Sequence, residues 1–161
     1  MTTMMELPQS EATLQGGVSQ IAQNMMSYDI KRVGARPLRF QGSELAMAMS
    51  YTPAIPYWYE INLYRTLDQT FVTAIRRFHQ SEDKQDTTQA WEAASIGDAI
   101  DKLTAYDAAN DVIVSYDLDV AAAPAAEMAA IAMQLMSQIT DARNHYQSLV
   151  GEFLYDLEND V

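Results

Sequence analysis

From Pro124 to Leu157 apolar residues recur every three or four positions, and that one pattern restricts the folds open to this chain more than any other feature. Met128, Ile131, Leu135, Ile139, Ala142, Tyr146, Leu149, Phe153 and Leu157 mark one face of an α-helix, widened by Met136, Val150 and Leu154. Pro124 suits the first helical turn, where its missing N–H costs nothing. An unbroken helix from 124 to 157 is roughly 50 Å long at 1.5 Å per residue. A domain of this size has a radius of gyration of about 15 Å, so it cannot cover such a rod along its whole length. The pattern therefore predicts either a break, at Gly151 or near Asn144, or a far end that packs against another chain.

Upstream, the pattern changes to strand period. Tyr57-Trp58-Tyr59-Glu60-Ile61-Asn62-Leu63-Tyr64-Arg65 is dense in aromatic and β-branched residues, Thr66 to Thr70 supplies a loop, and Phe71 to Phe78 returns. One register sets Ile61 opposite Ile75, Glu60 opposite Arg76 and Trp58 opposite Phe78. It gathers Tyr59, Ile61, Leu63, Phe71 and Ile75 on a core face. The other face is mixed, with Trp58, Glu60, Asn62, Tyr64, Val72, Arg76 and Phe78, and could be half covered by a helix.

Between Lys31 and Ser50, Leu38 and Phe40 fall on one parity while Leu45, Met47 and Met49 fall on the other. A bulge explains the flip, and so does a two-residue hairpin at Gly42-Ser43. The hairpin is preferred, because it sets Phe40 opposite Leu45 and Leu38 opposite Met47, both apolar pairs. A further strand is expected from Thr87 to Ala93. Ser95 then reads as the N-cap of a helix carrying Ile96, Ile100, Leu103 and Tyr106, and Val112-Ile113-Val114 as a short strand or connector.

The expected fold is thus α+β: an antiparallel sheet of about four to five strands, two hairpins plus a further strand, packed with helices and ending in a long C-terminal helix. Residues 1–30 form a leader, flexible or a short helix, with Leu14, Val18, Ile21 and Met25 at helical spacing around Gly16-Gly17. Residues 31–118 hold the sheet and one helix, and residues 119–161 the long helix, all in one domain. At 161 residues the chain can bury a core without staples, and it has no cysteine to form disulfides or thiolate metal sites. Met1 to Glu6 show neither a basic nor an apolar signal segment, and Val120 to Met133 is too short and alanine-rich to span a bilayer. A cytoplasmic protein without membrane contact is expected.

Charge is unevenly placed. Residues 1–80 hold seven Lys/Arg against six Asp/Glu, a net +1, whereas residues 81–161 hold three against sixteen, a net −13, so the whole of the net −12 comes from the second half. Such a half repels phosphate backbones, which argues against direct nucleic-acid binding there. Lys31, Arg32, Arg36 and Arg39 near the aromatic run Tyr57 to Tyr59 are a weak footprint for single strands, since strand aromatics more often fill a core.

Catalytic motifs are missing. The glycines form neither a P-loop nor a GxGxxG turn, and the two histidines, His79 and His145, belong to no HExxH or HxxxH pair. Asp107, Asp111, Asp117 and Asp119 lack the EF-hand order of ligands, so no metal and no cofactor is expected. The element order across 57–106 is similar to that of small sheet-plus-helix modules such as the WGR domain. The Trp-Gly-Arg signature is absent, with Arg76-Arg77-Phe78-His79 in its place, so the likeness implies an arrangement and no activity.

These readings converge on a non-enzymatic interaction protein or accessory subunit with an acidic surface. Its partner-binding stripe is Met128, Ile131, Leu135, Ile139, Tyr146, Leu149 and Phe153. Its partners are a second copy in a homodimer, or a basic protein within a larger complex. One alternative is an acidic inhibitor or nucleic-acid mimic directed at a DNA- or RNA-handling protein. Another is a small carboxylate-dependent enzyme with a pocket around Trp58, Glu60, Tyr64 and Arg76.

Overall fold

The computed structural model describes residues 25–112 and 124–159. The leader positions Leu14, Val18 and Ile21, the connector Ile113-Val114, and Asp117 and Asp119 lie outside the described residues. Five strands come first: β1 (Met26–Arg32), β2 (Ala35–Met49), β3 (Tyr57–Thr66), β4 (Phe71–His79) and β5 (Thr87–Ala93). They lie side by side in chain order, each antiparallel to the next. Helix α1 (Ile96–Ala105), a 3₁₀ turn (Ala108–Asp111) and helix α2 (Ala125–Asn159) follow, so the fold is α+β.

The β3–β4 hairpin has the expected register, with Ile61 opposite Ile75, Glu60 opposite Arg76 and Trp58 opposite Phe78. Its loop is closed by the Thr66 N–H donating to the Thr70 carbonyl at 2.9 Å and by the two threonine hydroxyls at 2.7 Å.

The first hairpin differs from expectation. β2 runs straight through Gly42-Ser43, and the turn lies at Val33-Gly34, where Gly34 has φ +67°. Phe40 therefore faces Tyr28 and Leu38 faces Ile30, in place of Leu45 and Met47. The reason is β1, a strand that begins inside the stretch read as a leader. The parity flip comes from the bulge: the β2–β3 register slips between Glu44 and Ala46, which turns Leu45 out of sequence with its neighbours. β2 thus changes neighbours along its length, pairing with β1 as far as Gly42 and with β3 from Gly42 onward. Glycine is required at that crossover, since a Cβ would run into the Arg65 carbonyl.

This stagger curls the sheet. The Val33 N–H donates to the Thr88 carbonyl at 3.0 Å, and Arg32 Nη1 reaches the Ala90 carbonyl at 3.4 Å, bringing β1 round to β5. Ile30, Tyr64, Val72, Ala74 and Ala90 are buried inside the curl, with Tyr28, Leu38 and Phe40 against them. The mixed face of β3 is one that, by its sequence, a helix could half cover. Among the described residues, β1 and the first half of β2 cover its upper part instead.

On the outer face Tyr59, Ile61, Leu63 and Ile75 form the main core with Ala99 and Leu103 of α1 and with Ala142, Tyr146, Leu149, Val150 and Phe153 of α2. Ser95 caps α1 as its spacing predicts, its Oγ accepting from the Asp98 N–H at 3.1 Å. Helix α2 is 35 residues long and unbroken, about 52 Å, so neither Gly151 nor Asn144 ends it. A glycine there costs about 1 kcal/mol of helix propensity, and burial of Val150 and Phe153 on either side outweighs it.

Candidate interaction surfaces

Helix α2 is fixed to the sheet over its second half by a polar network as well as by the core. Asp111, buried in the 3₁₀ turn, accepts from the Tyr59 hydroxyl at 2.9 Å and from the Tyr106 hydroxyl at 2.6 Å. Its backbone carbonyl accepts from the buried Arg77, whose guanidinium lies 4.3 Å from the centroid of the Tyr57 ring. Burial, and after it the neighbouring Asp111 carboxylate, pushes both phenols far above their ordinary range, so they remain protonated donors. One residue before the 3₁₀ turn, Asp107 caps it through the Ala109 N–H at 3.0 Å and takes two hydrogen bonds from Arg143 of α2, both 2.8 Å. Those Arg143 bonds, with the Ala109 N–H second, hold the Asp107 carboxyl down to about 2. The Tyr146 hydroxyl donates to the Leu103 carbonyl at 2.5 Å, joining α2 to α1.

The predicted partner stripe divides at this anchorage. Tyr146, Leu149 and Phe153 are buried in the molecule's own core. Every buried residue of α2 lies at or after Ala142, and none lies between Ala125 and Asp141. That first half is an arm that contributes nothing to the main core. Met128 is 40% exposed, Ile131, Leu135 and Ile139 are partly exposed, and on its flanks Met133 and Met136 are 73% and 69% exposed. The arm carries a single charge between Ala125 and Thr140, Glu127, which sits favourably in the first turn of the helix.

A second surface lies on the helical layer. α1 exposes Asp98 and Asp101, and the anchored half of α2 exposes Glu152, Asp156 and Glu158, with Asp141 at the junction. The cations on these elements are Lys102 and Arg143, and Arg143 is engaged by Asp107. Further exposed basic residues lie elsewhere: Lys31, Arg36 and Arg39 are exposed on the β1–β2 hairpin, where Arg39 pairs with Asp29 at 3.1 Å. Tyr59 is wholly buried against Tyr146, while Trp58 points to the opposite face between Phe78 and Tyr51.

Trp58, Glu60, Tyr64 and Arg76 share one face of the sheet. Tyr64 is buried between Tyr28 and Phe40, and its phenol is pushed up to about 12, chiefly by burial. Glu60 and Arg76 are cross-strand neighbours without an ion pair within 4 Å. Two clefts open elsewhere. One, about 390 Å³, lies beside Asp107 and Arg143; the other, about 520 Å³, is lined by Tyr57, Asp141, Asn144, His145 and Ser148. In the second, burial lowers the pKa of His145, whose ring packs edge-on to Tyr57 at 5.6 Å. His145 makes no hydrogen bond to Asp141 or Ser148, so no relay forms. His79 lies at the end of β4, and burial lowers its pKa too. Of the four aspartates with ligand-like spacing, Asp107 and Asp111 are committed to Arg143 and the tyrosines.

The tyrosine–aspartate anchorage is absent from the sequence reading. Its partners, Tyr59, Arg77, Tyr106 and Asp111, come from β3, β4, the end of α1 and the 3₁₀ turn, and only the Tyr106–Asp111 spacing is local. No helix among the described residues is long and apolar enough to cross a membrane. No family model, curated protein or solved structure matches the chain. What defines its class is therefore the architecture itself, a curled five-strand meander with a long helix anchored to it over its second half.

Proposed function

We propose that this protein is a non-enzymatic interaction protein or accessory subunit that docks through the arm of α2. The observation that carries this reading is the division of one continuous apolar stripe. The same helix face that supplies Tyr146, Leu149 and Phe153 to the core continues as Met128, Ile131, Leu135 and Ile139 outside it. An apolar stripe of this kind gains about 25 cal/mol per Å² when it is covered, so a partner surface is favoured there. The sequence is free of cysteine, which suits a reducing compartment such as the cytoplasm.

The test is a pair of substitutions, Ile131→Glu with Leu135→Glu, in the full chain at native expression level. The wild-type chain is expected to migrate in native extract as an assembly larger than one chain. The double variant, with unchanged far-UV circular dichroism and melting temperature, is expected to migrate as a monomer. If both migrate identically, the arm is not a docking element.

A second reading rests on the acidic helical layer. Exposed carboxylates on α1 and on the anchored half of α2 favour a basic partner, as an inhibitor of a nucleic-acid-handling protein would require. Binding of that kind weakens steeply between about 0.05 and 0.2 M salt. Complexes that survive unchanged over this range rule it out.

A further inference from the structure

We infer that the arm's partner is a second copy of this chain, with the two arms antiparallel about a two-fold axis between Ile131 and Leu135. This rests on the reading of the arm as a docking element and adds the identity and direction of its occupant.

Three observations support it. The half-buried stripe is nearly palindromic: running one arm against another in the opposite sense sets Met128 against Ile139 and Ile131 against Leu135 in both halves at once. A two-fold interface needs such self-complementarity, because each residue must meet its own counterpart's partner. Next, charge selects the direction. A parallel pair would set the two Glu127 side chains together, whereas the antiparallel pair separates them by about 19 Å, at 1.5 Å per residue. Each Glu127 then lies opposite the partner copy's Thr140, within one turn of its Arg143, the nearest cation on the helix. Finally, the arm has no other charge to offer. A basic partner would find a single carboxylate between Ala125 and Thr140, while the many carboxylates of the helical layer lie farther along the molecule.

Size sets the strength. Each arm contributes a strip about 25 Å long and about 10 Å wide, so about 500 Å² is buried in all, well below the roughly 1,600 Å² of a standard interface. The dimer is therefore expected to be weak, populated only towards millimolar concentration, and in rapid exchange with monomer.

The absence of cysteine permits a direct test by disulfide trapping in the full-length purified protein. Met128→Cys chains mixed with Ile139→Cys chains are expected to form a mixed disulfide dimer under mild oxidation. Met128→Cys alone is expected not to, since its two copies stand about 16 Å apart along the axis. Efficient dimerisation of Met128→Cys alone would establish parallel arms and overturn the inference. So would a wild-type protein that sediments as a monomer up to millimolar concentration. If that monomer still loses its assembly in extract when Ile131 and Leu135 become glutamate, the arm holds a different protein and only the self-pairing is wrong. If the glutamates change nothing in either setting, the docking reading falls as well.

Discussion

Two glycines in this chain sit in opposite situations, and the same substitution separates them. Gly34 turns the β1–β2 hairpin with φ +67°, a left-handed conformation in which a Cβ costs about 1–2 kcal/mol. Gly151 lies inside α2, where a Cβ meets no atom within 4 Å. Gly34→Ala is thus expected to lower the unfolding free energy by about 1–2 kcal/mol, and Gly151→Ala to raise it by about 0.5–1 kcal/mol, in chemical denaturation. The Asp107–Arg143 pair is a second residue-scale device, and its effect depends on pH. The Asp107 carboxyl lies near 3.8 when free and is held at about 2 in the folded state by Arg143 and the Ala109 N–H. A carboxylate with a depressed folded pKa binds protons more readily when unfolded, so its contribution is complete above about pH 4 and is lost as pH falls towards 2. Arg143→Ala should melt below wild type at pH 6, and the gap should close between pH 4 and pH 2. A gap that stays constant across that window would mean that the pair does not couple α2 to the 3₁₀ turn.

At the scale of elements, the two halves of α2 share a sequence pattern and differ in surroundings. Phe153→Ala empties a fully enclosed site against the sheet and is expected to cost about 3–5 kcal/mol. Leu135→Ala, on the arm, is expected to cost under about 0.5 kcal/mol when measured on dilute monomer. Equal costs at the two positions would show the arm to be part of the core. This division also marks what the sequence could disclose. The 3.6-residue period was plain from Met128 to Leu157, but the point where burial stops depends on which other elements reach the helix. That is a tertiary fact with no local signal. The β3–β4 register was legible because Ile61, Ile75, Trp58 and Phe78 allow one pairing that buries one apolar face. The break between Phe40 and Leu45 was visible too, yet a bulge and a hairpin turn shift parity identically. The decision lay with β1, whose Tyr28 and Ile30 alternate with Ser27, Asp29 and Lys31 too briefly to stand out as a strand. The anchorage of Asp111 was hidden for a related reason: Tyr59 and Arg77 reach it from strands 52 and 34 residues away in sequence.

For the whole molecule, the two proposed modes of contact respond to salt in opposite directions, which makes ionic strength a test of which surface is in use. Each chain carries a net charge of −12, so two copies repel one another at long range. The arms that meet are almost uncharged, and their attraction comes from apolar burial, which salt does not screen. Raising salt from about 0.05 to 0.5 M shortens the Debye length from over 10 Å to under 5 Å. Repulsion between the acidic bodies then fades while the arm contact remains, and self-association is expected to tighten severalfold. A basic partner seated on the carboxylates of α1 and α2 loses its attraction over the same range, so that complex should weaken by an order of magnitude or more. Sedimentation velocity across this salt series reads the first effect on the purified chain alone. A dimer that weakens as salt rises would place its contact on the charged layer and remove the arm from the interface.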